Sequence, residues 1–186
     1  MNRSCDLISI LTEDHRELRQ LLTELEHLTG GEPLWRSLAD LTITEMVRHS
    51  VAEEAFLYPV ARQRLPEGQR IVDQEVADHG RIEQMVARLE SPDLPTAQFS
   101  VLMSQLAAAL GAHMQAEEDE LFVLMAKHLG KEELAVLGRK AAEAKEKAPT
   151  RHHVSAPDHP LLNTIIASGT GLVERLREHL RGLYPL

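Results

Sequence analysis

Cysteine occurs once in the 186-residue chain, at Cys5. That excludes an intramolecular disulfide and a thiolate-bound structural zinc, and it makes a reducing cytosol the expected compartment. Aromatic residues are scarce at 3%. Leu, Ala, Glu, Arg and Gln are plentiful, and they lose little side-chain freedom in helices, so helices are favoured over strands. No Lys/Arg cluster offsets the formal net charge of −9, so nucleic acid is not an expected partner. No apolar run is long enough to span a membrane. The opening stretch MNRSCDLISILTEDHREL is too interrupted for the core of a signal peptide. A cytoplasmic chain with no membrane attachment is the expectation.

What is present suits a folded domain, with 43% hydrophobic and 26% charged residues. Four segments show the 3-and-4 apolar spacing of amphipathic helices. The first covers residues 6–28, with Leu7, Leu11, His15, Leu18, Leu22 and Leu25 inward, and stops at Gly30-Gly31. The second covers 33–64, with Leu38, Leu41, His49, Glu53, Phe56 and Val60 inward. Pro59 is expected to kink it or end it early. The third covers 69–90, with Val72, His79, Ile82, Val86 and Leu89 inward. The fourth covers 96–128, with Phe99, Leu106, Leu110, His113, Glu117, Leu121 and Leu124 inward, and Gly130 after it. Short connections between long amphipathic helices predict an all-α, antiparallel up-down-up-down four-helix bundle.

Beyond this bundle, residues 1–130, lies an expected C-terminal extension, 131–186. It reads as a charged helix over 131–147 with a solvated face and i, i+4 ion pairs. A Pro- and His-rich extended stretch (APTRHHVSAPDHP) and a last helix over 161–181 come after it. The extension is expected to pack on or beside the bundle and to offer a surface to a protein partner.

An internal repeat carries the functional argument. His79 follows His15 by 64 residues, His113 follows His49 by 64, and Glu117 follows Glu53 by 64. Each half supplies a lone His from one helix and an H-x-x-x-E pair from the next. Residues four apart share a helix face, so each pair can reach one metal ion or one metal pair. The carboxylates fall on stripes otherwise made of Leu, Ile, Phe and Val. A buried Glu is costly unless a cation compensates its charge. Two related copies predict two ions, bridged by the carboxylates and capped by the imidazoles. Mixed imidazole and carboxylate ligation suits iron or manganese.

The pattern H … H-x-x-x-E … H … H-x-x-x-E resembles the hemerythrin-like HHE cation-binding family. Asp14-His15-Arg16, His49-Ser50-Val51-Ala52-Glu53-Glu54 before Leu57-Tyr58-Pro59, and His113-Met114-Gln115-Ala116-Glu117-Glu118 before Leu121-Phe122 carry the likeness, over about residues 7–127. The tail around Ala156-Pro157-Asp158-His159-Pro160 looks like extensions of some bacterial members, actinobacterial ones especially. The resemblance implies two iron ions in an oxo- or hydroxo-bridged non-haem centre. Glu53 and Glu117 would be the bridges, and His15, His49, His79 and His113 the terminal ligands. Oxygen-carrying hemerythrins have two His on the third helix, where this chain has His79 alone. Glu75 or Glu83 could substitute, or the position could stay open to water. By analogy with the family this points away from oxygen carriage. It points toward hydrogen peroxide (catalase-like) or nitric oxide handling in stress defence. An oxygen or iron sensing module without turnover is the alternative.

Other residues read more plainly. Tyr58 and its counterpart Phe122 read as packing aromatics, with Tyr58 also placed to donate a hydrogen bond to the site or to ligate iron. Glu54 and Glu118 point about 100° away from the bridging residues, toward solvent or a supporting contact. His27, in the ferritin-like spacing Glu24-x-x-His27, reads as a surface residue. Met46, Met85, Met103, Met114 and Met125 read as core filler. His152, His153 and His159 read as part of a solvated tail.

Overall fold

The computed structural model describes residues 6–28, 33–89 and 94–147, and every regular element among them is helical. Helix α1 spans Leu7–His27, and the Asp6 side chain caps it by accepting from the Ser9 N–H at 2.9 Å. Helix α2 spans Pro33–Ala52. A π-helical turn, Glu53–Leu57, continues it without a break, and α3 runs on over Tyr58–Arg64. Helix α4 spans Gly68–Leu89. Helix α5, Thr96–Ala116, runs through a second π turn, Glu117–Leu121, into α6, Phe122–His128. The result is the expected all-α bundle, in which α1 lies against α2 and α5, and α4 against α3 and α5. The last helical segment of the expected extension, like His152, His153 and His159, lies outside the described residues.

The two π turns correct the reading of the second and fourth helices. A π turn adds one residue to the helix and rotates the segment beyond it. Past Glu53 the buried residues are Leu57, Tyr58, Ala61 and Leu65, while Phe56 and Val60 are only partly buried. Past Leu121 the core takes Phe122 and Met125 rather than Leu124. The helix also does not end at Pro59. That proline sits in the first turn of α3, directly after the π turn, where a missing N–H costs least. The matching turn at Glu117–Leu121 forms with no proline nearby, so proline does not cause the distortion.

The α3–α4 corner is tight. Glu67 adopts a left-handed φ of 56°, and a Cβ on Gly68 would lie 2.1 Å from the Ala61 carbonyl oxygen. Only glycine permits that approach.

Apolar side chains fill the bundle in two clusters. One includes Leu18, Leu21, Trp35, Phe99, Leu106 and Met114. The other includes Leu7, Leu11, Leu57, Leu121 and Met125. His15 lies on α1 between Leu11 and Leu18, so the polar residues form a layer between the clusters. Each buried Leu, Phe or Met stabilises the fold by about 1.5–3 kcal/mol relative to exposure. That surplus lets the bundle tolerate a charged layer.

Helix α7, Lys131–Lys147, packs against α1, α2 and the first π turn. Leu134, Gly138 and Ala141 are buried on its inner face. In place of the expected ion pairs within the helix, its pairs among the described residues reach the bundle, from Glu133 to Arg64 and from Lys145 to Asp14.

Candidate metal centre

All six residues of the repeat are buried, and Glu53 and Glu117 are fully so at 0%. His15 comes from α1, His79 from α4, and each H-x-x-x-E pair from the end of α2 or α5 and the first residue of the adjoining π turn. The π turns therefore begin at the two carboxylates. Rings and carboxylates converge on one layer. Nε2 of His15 lies 3.0 Å from Nε2 of His49, and Nε2 of His79 lies 3.1 Å from that of His113. Glu53 reaches both pairs, at 2.9 Å from His49 Nε2 and 3.3 Å from His79 Nε2. Glu117 does too, at 3.3 Å from His15 Nε2 and 3.5 Å from His113 Nε2.

Three ligand groups capable of holding a metal ion emerge among the described residues: His15, His49, Glu53 and Glu117; Glu53, His79 and His113; and Glu75, His113 and Glu117. Both oxygens of Glu53 and Oε2 of Glu117 are buried without a hydrogen-bond partner. Such atoms are costly in a protein interior. Divalent cations between two imidazole pairs would satisfy them all, so the donor set fits a pair of ions.

The protein's own charges pull the two carboxylates apart. Burial alone would raise Glu53, but the His49 and His79 rings hold its carboxyl well below the usual range. Burial, and then the charge of Glu53, pushes Glu117 well above it. Burial, joined by the charge of His49, drives His15 down to about 4. Burial also disfavours charge on His49 and His79. There the carboxylates win: Glu53 and Asp14 hold His49 at about 9, and Glu53 and Glu54 hold His79 at about 10.

Each imidazole turns Nδ1 outward to a carboxylate. Nδ1 of His15 donates to Glu118 at 2.8 Å, and Nδ1 of His79 donates to Glu54 at 2.8 Å. Nδ1 of His49 donates to Asp14 at 3.3 Å. Nδ1 of His113 lies 3.0 Å from Glu75 Oε2, in ion-pair range but out of line for a hydrogen bond. Such partners fix the tautomer that presents Nε2 to a metal. Glu54 and Glu118 thus support the site rather than simply facing solvent. The role of Asp14 had no signal in the sequence beyond its place beside His15.

The two halves differ at Tyr58 and Phe122. The Tyr58 hydroxyl lies 3.0 Å from His79 Nε2 and donates to Glu117 Oε1 at 3.1 Å, so it is more than a packing aromatic. Burial, and then the charges of Glu53 and Glu117, push its phenol well above the usual value. Phe122 stacks on the His15 ring at 5.3 Å. Glu75 is buried against the site, whereas Glu83 is exposed and lies outside the three ligand groups. His27 is exposed, as expected.

Residues 6–125 match the hemerythrin HHE cation binding domain. The chain belongs to the hemerythrin HHE family. An uncharacterized hemerythrin-like protein of Schizosaccharomyces pombe is 25% identical over 167 residues, covering 89% of this chain and 82% of the relative. A DNA nickase of Nostoc sp. is 27% identical over 144 residues, covering 76% of this chain. This hemerythrin-like chain spans only 40% of that nickase's length. No solved structure matches the chain. None of the helices among the described residues is long and apolar enough to cross a membrane.

Proposed function

We propose that this hemerythrin-like protein holds two iron ions. His15 and His49 would face one, His79 and His113 the other, and Glu53 and Glu117 would lie between them. The observation that carries this reading is the pair of fully buried carboxylates, three of whose four oxygens have no hydrogen-bond partner, facing four inward-turned Nε2 atoms. Iron in that position supplies redox chemistry and a Lewis-acidic site for a small ligand. The residues around it bind, orient and exclude. The apolar clusters above and below keep bulk water out. Glu54, Glu118 and Asp14 hold the rings in register. Tyr58 brings a hydroxyl to the His79 side, where a small ligand would meet a hydrogen-bond donor.

The ligand in this reading is a small oxygen or nitrogen species, hydrogen peroxide or nitric oxide, handled in stress defence. Support comes from the single His on α4 and from the Tyr58 hydroxyl beside it, which make the two halves chemically unequal. Residues 1–130 would form the iron-binding domain and 131–186 an appendage. A sensing role without turnover has one observation in its favour: α7, outside the bundle, packs on the π turn that begins at Glu53. The likeness to a nickase adds no nucleic-acid role, since it covers a minority of that protein and this chain carries a charge of −9.

The test is metal analysis of the purified chain with its visible spectrum, before and after peroxide. Two irons per chain and catalytic release of dioxygen support the peroxide enzyme. Two irons with a spectral change and no turnover support the sensor. A folded chain that cannot be loaded with iron overturns both.

A further inference from the structure

Four carboxylates lie beside the outer nitrogens of the four imidazoles, three of them as hydrogen-bond acceptors, and they are not anchored alike. Glu118 is gripped by Arg19 of α1, which donates to both its oxygens at 2.8 and 3.1 Å. Glu54 is half exposed and open to water. Among the described residues no Lys or Arg forms an ion pair with Glu75. Asp14 is different. It is buried, it accepts from His49 through Oδ2, and its Oδ1 accepts from Nζ of Lys145, which belongs to α7. Among the described residues, the Lys that completes this arrangement comes from outside the four-helix bundle.

Helix α7 is built to deliver it. Leu134, Gly138 and Ala141 are its buried residues, and Lys145 stands one turn beyond Ala141 on the same face. The small Gly138 and Ala141 let the helix lie close to α1 and α2, so the Lys145 side chain reaches Asp14 while only 19% exposed. The same helix packs on the π turn Glu53–Leu57.

We propose that α7 is a latch on the metal centre, with Lys145 as a positioning residue that acts through Asp14 on His49. The proposal rests on the reading that His15 and His49 hold an ion. An imidazole that ligates through Nε2 is oriented by the acceptor at its Nδ1. A buried carboxylate keeps that place only when its charge is compensated. Lys145 supplies the compensation as long as α7 is docked. Undocking leaves Asp14 drawn toward water and the His49 ring without its guide. Coupling of this kind is reciprocal: an ion on His15 and His49 orders Asp14 and thereby tightens α7. Loss of Lys145 therefore falls on the His15/His49 ion and spares the His79/His113 ion.

The experiment uses the full chain loaded anaerobically with ferrous iron. Chelator-driven iron release and amide hydrogen exchange are followed for wild type, Lys145→Met, Lys145→Arg and, as a control on exposed α7 surface, Lys140→Met. In wild type, iron should slow exchange across α7. Lys145→Met should release one of its two irons at least ~10-fold faster, in the range seen when groups supporting a metal ligand are removed, and iron should no longer protect α7. Lys145→Arg should restore both, and Lys140→Met should match wild type. Wild-type α7 whose exchange ignores iron overturns the latch whatever the variants do. Equal release from Lys145→Met and wild type overturns it as well. A wild-type chain that takes up no iron overturns the metal reading itself, and the latch with it.

Discussion

Tyr58 and Phe122 occupy equivalent places in the two halves of the bundle, yet only Tyr58 brings a polar atom to the centre. Its hydroxyl lies 3.1 Å from Glu117 Oε1, while the Phe122 ring stacks on His15. Tyr58→Phe should remove the hydroxyl that donates to Glu117. Chemical denaturation of the iron-free chain should show a loss of about 1–2 kcal/mol. Iron content should be retained, and the visible spectrum of the loaded protein should shift. An unchanged stability and spectrum would mean that the hydroxyl is idle.

Histidine substitutions separate ligands from bystanders. His49→Ala and His113→Ala should each lose iron, measured per folded chain. His27→Ala should keep the wild-type content, because His27 is exposed at the end of α1. Equal iron in all three variants would break the assignment.

The two carboxylates should respond unequally to amide substitution. Glu53 is held ionised by two charged rings, so Glu53→Gln removes the carboxylate they share and leaves His49 only Asp14 and His79 only Glu54. Breaking a buried pair from one side costs roughly 3–5 kcal/mol in the iron-free chain. Burial and the charge of Glu53 push Glu117 well above the usual carboxyl range, toward its protonated form. Its Gln variant is close to isosteric with that state and should shift iron-free stability by less than ~1 kcal/mol. Both variants should nonetheless lose iron. Paired urea titrations of the two iron-free variants decide the point; equal costs would show that the charge is shared evenly.

Iron loading should release protons at neutral pH. Burial opposes charge on His49 and His79, but their carboxylate partners keep them protonated up to about 9 and about 10. A ligating Nε2 gives up its proton, so these two rings should release about two protons per chain on loading. His15, driven to about 4 by burial and His49, adds none. Calorimetric titration in buffers of different ionisation heat measures the release, and a value of zero would contradict these charge states.

The same shifts set a pH dependence for the iron-free chain. The folded-state pKa values of His49 and His79 lie above the unfolded value of 6.5. Their stabilisation is therefore complete below about 6.5 and is lost as pH rises through about 9 to 10. The urea midpoint should fall between pH 7 and pH 10. A flat or rising midpoint over that range would sink the assignment.

Much of this molecule is written along the chain. The apolar stripes of α1 and α4 are those expected, from Leu7 to Leu25 and from Val72 to Leu89. They are legible because an unbroken α-helix has one period and a buried face must keep to it. The repeat of His15, His49 and Glu53 at His79, His113 and Glu117 is equally legible. Ligand type and helical spacing are properties of sequence alone, and a His or Glu on an apolar stripe has little reason to be there without a partner.

Tertiary structure decided the rest, because contacts between distant segments leave no periodic trace. The π turns moved burial from Phe56 and Val60 to Leu57 and Ala61, and from Leu124 to Met125. One inserted residue in the hydrogen-bond ladder is invisible to a pattern of period 3.6. The carboxylates beside the four Nδ1 atoms lie up to 103 residues from their rings, as His15 and Glu118 do. Lys145 meets Asp14 across 131 residues. Periodicity could name the six residues that converge in the buried polar layer. Only the packing of helix on helix could say which carboxylate steers which ring, and that a helix beyond the bundle reaches one of them.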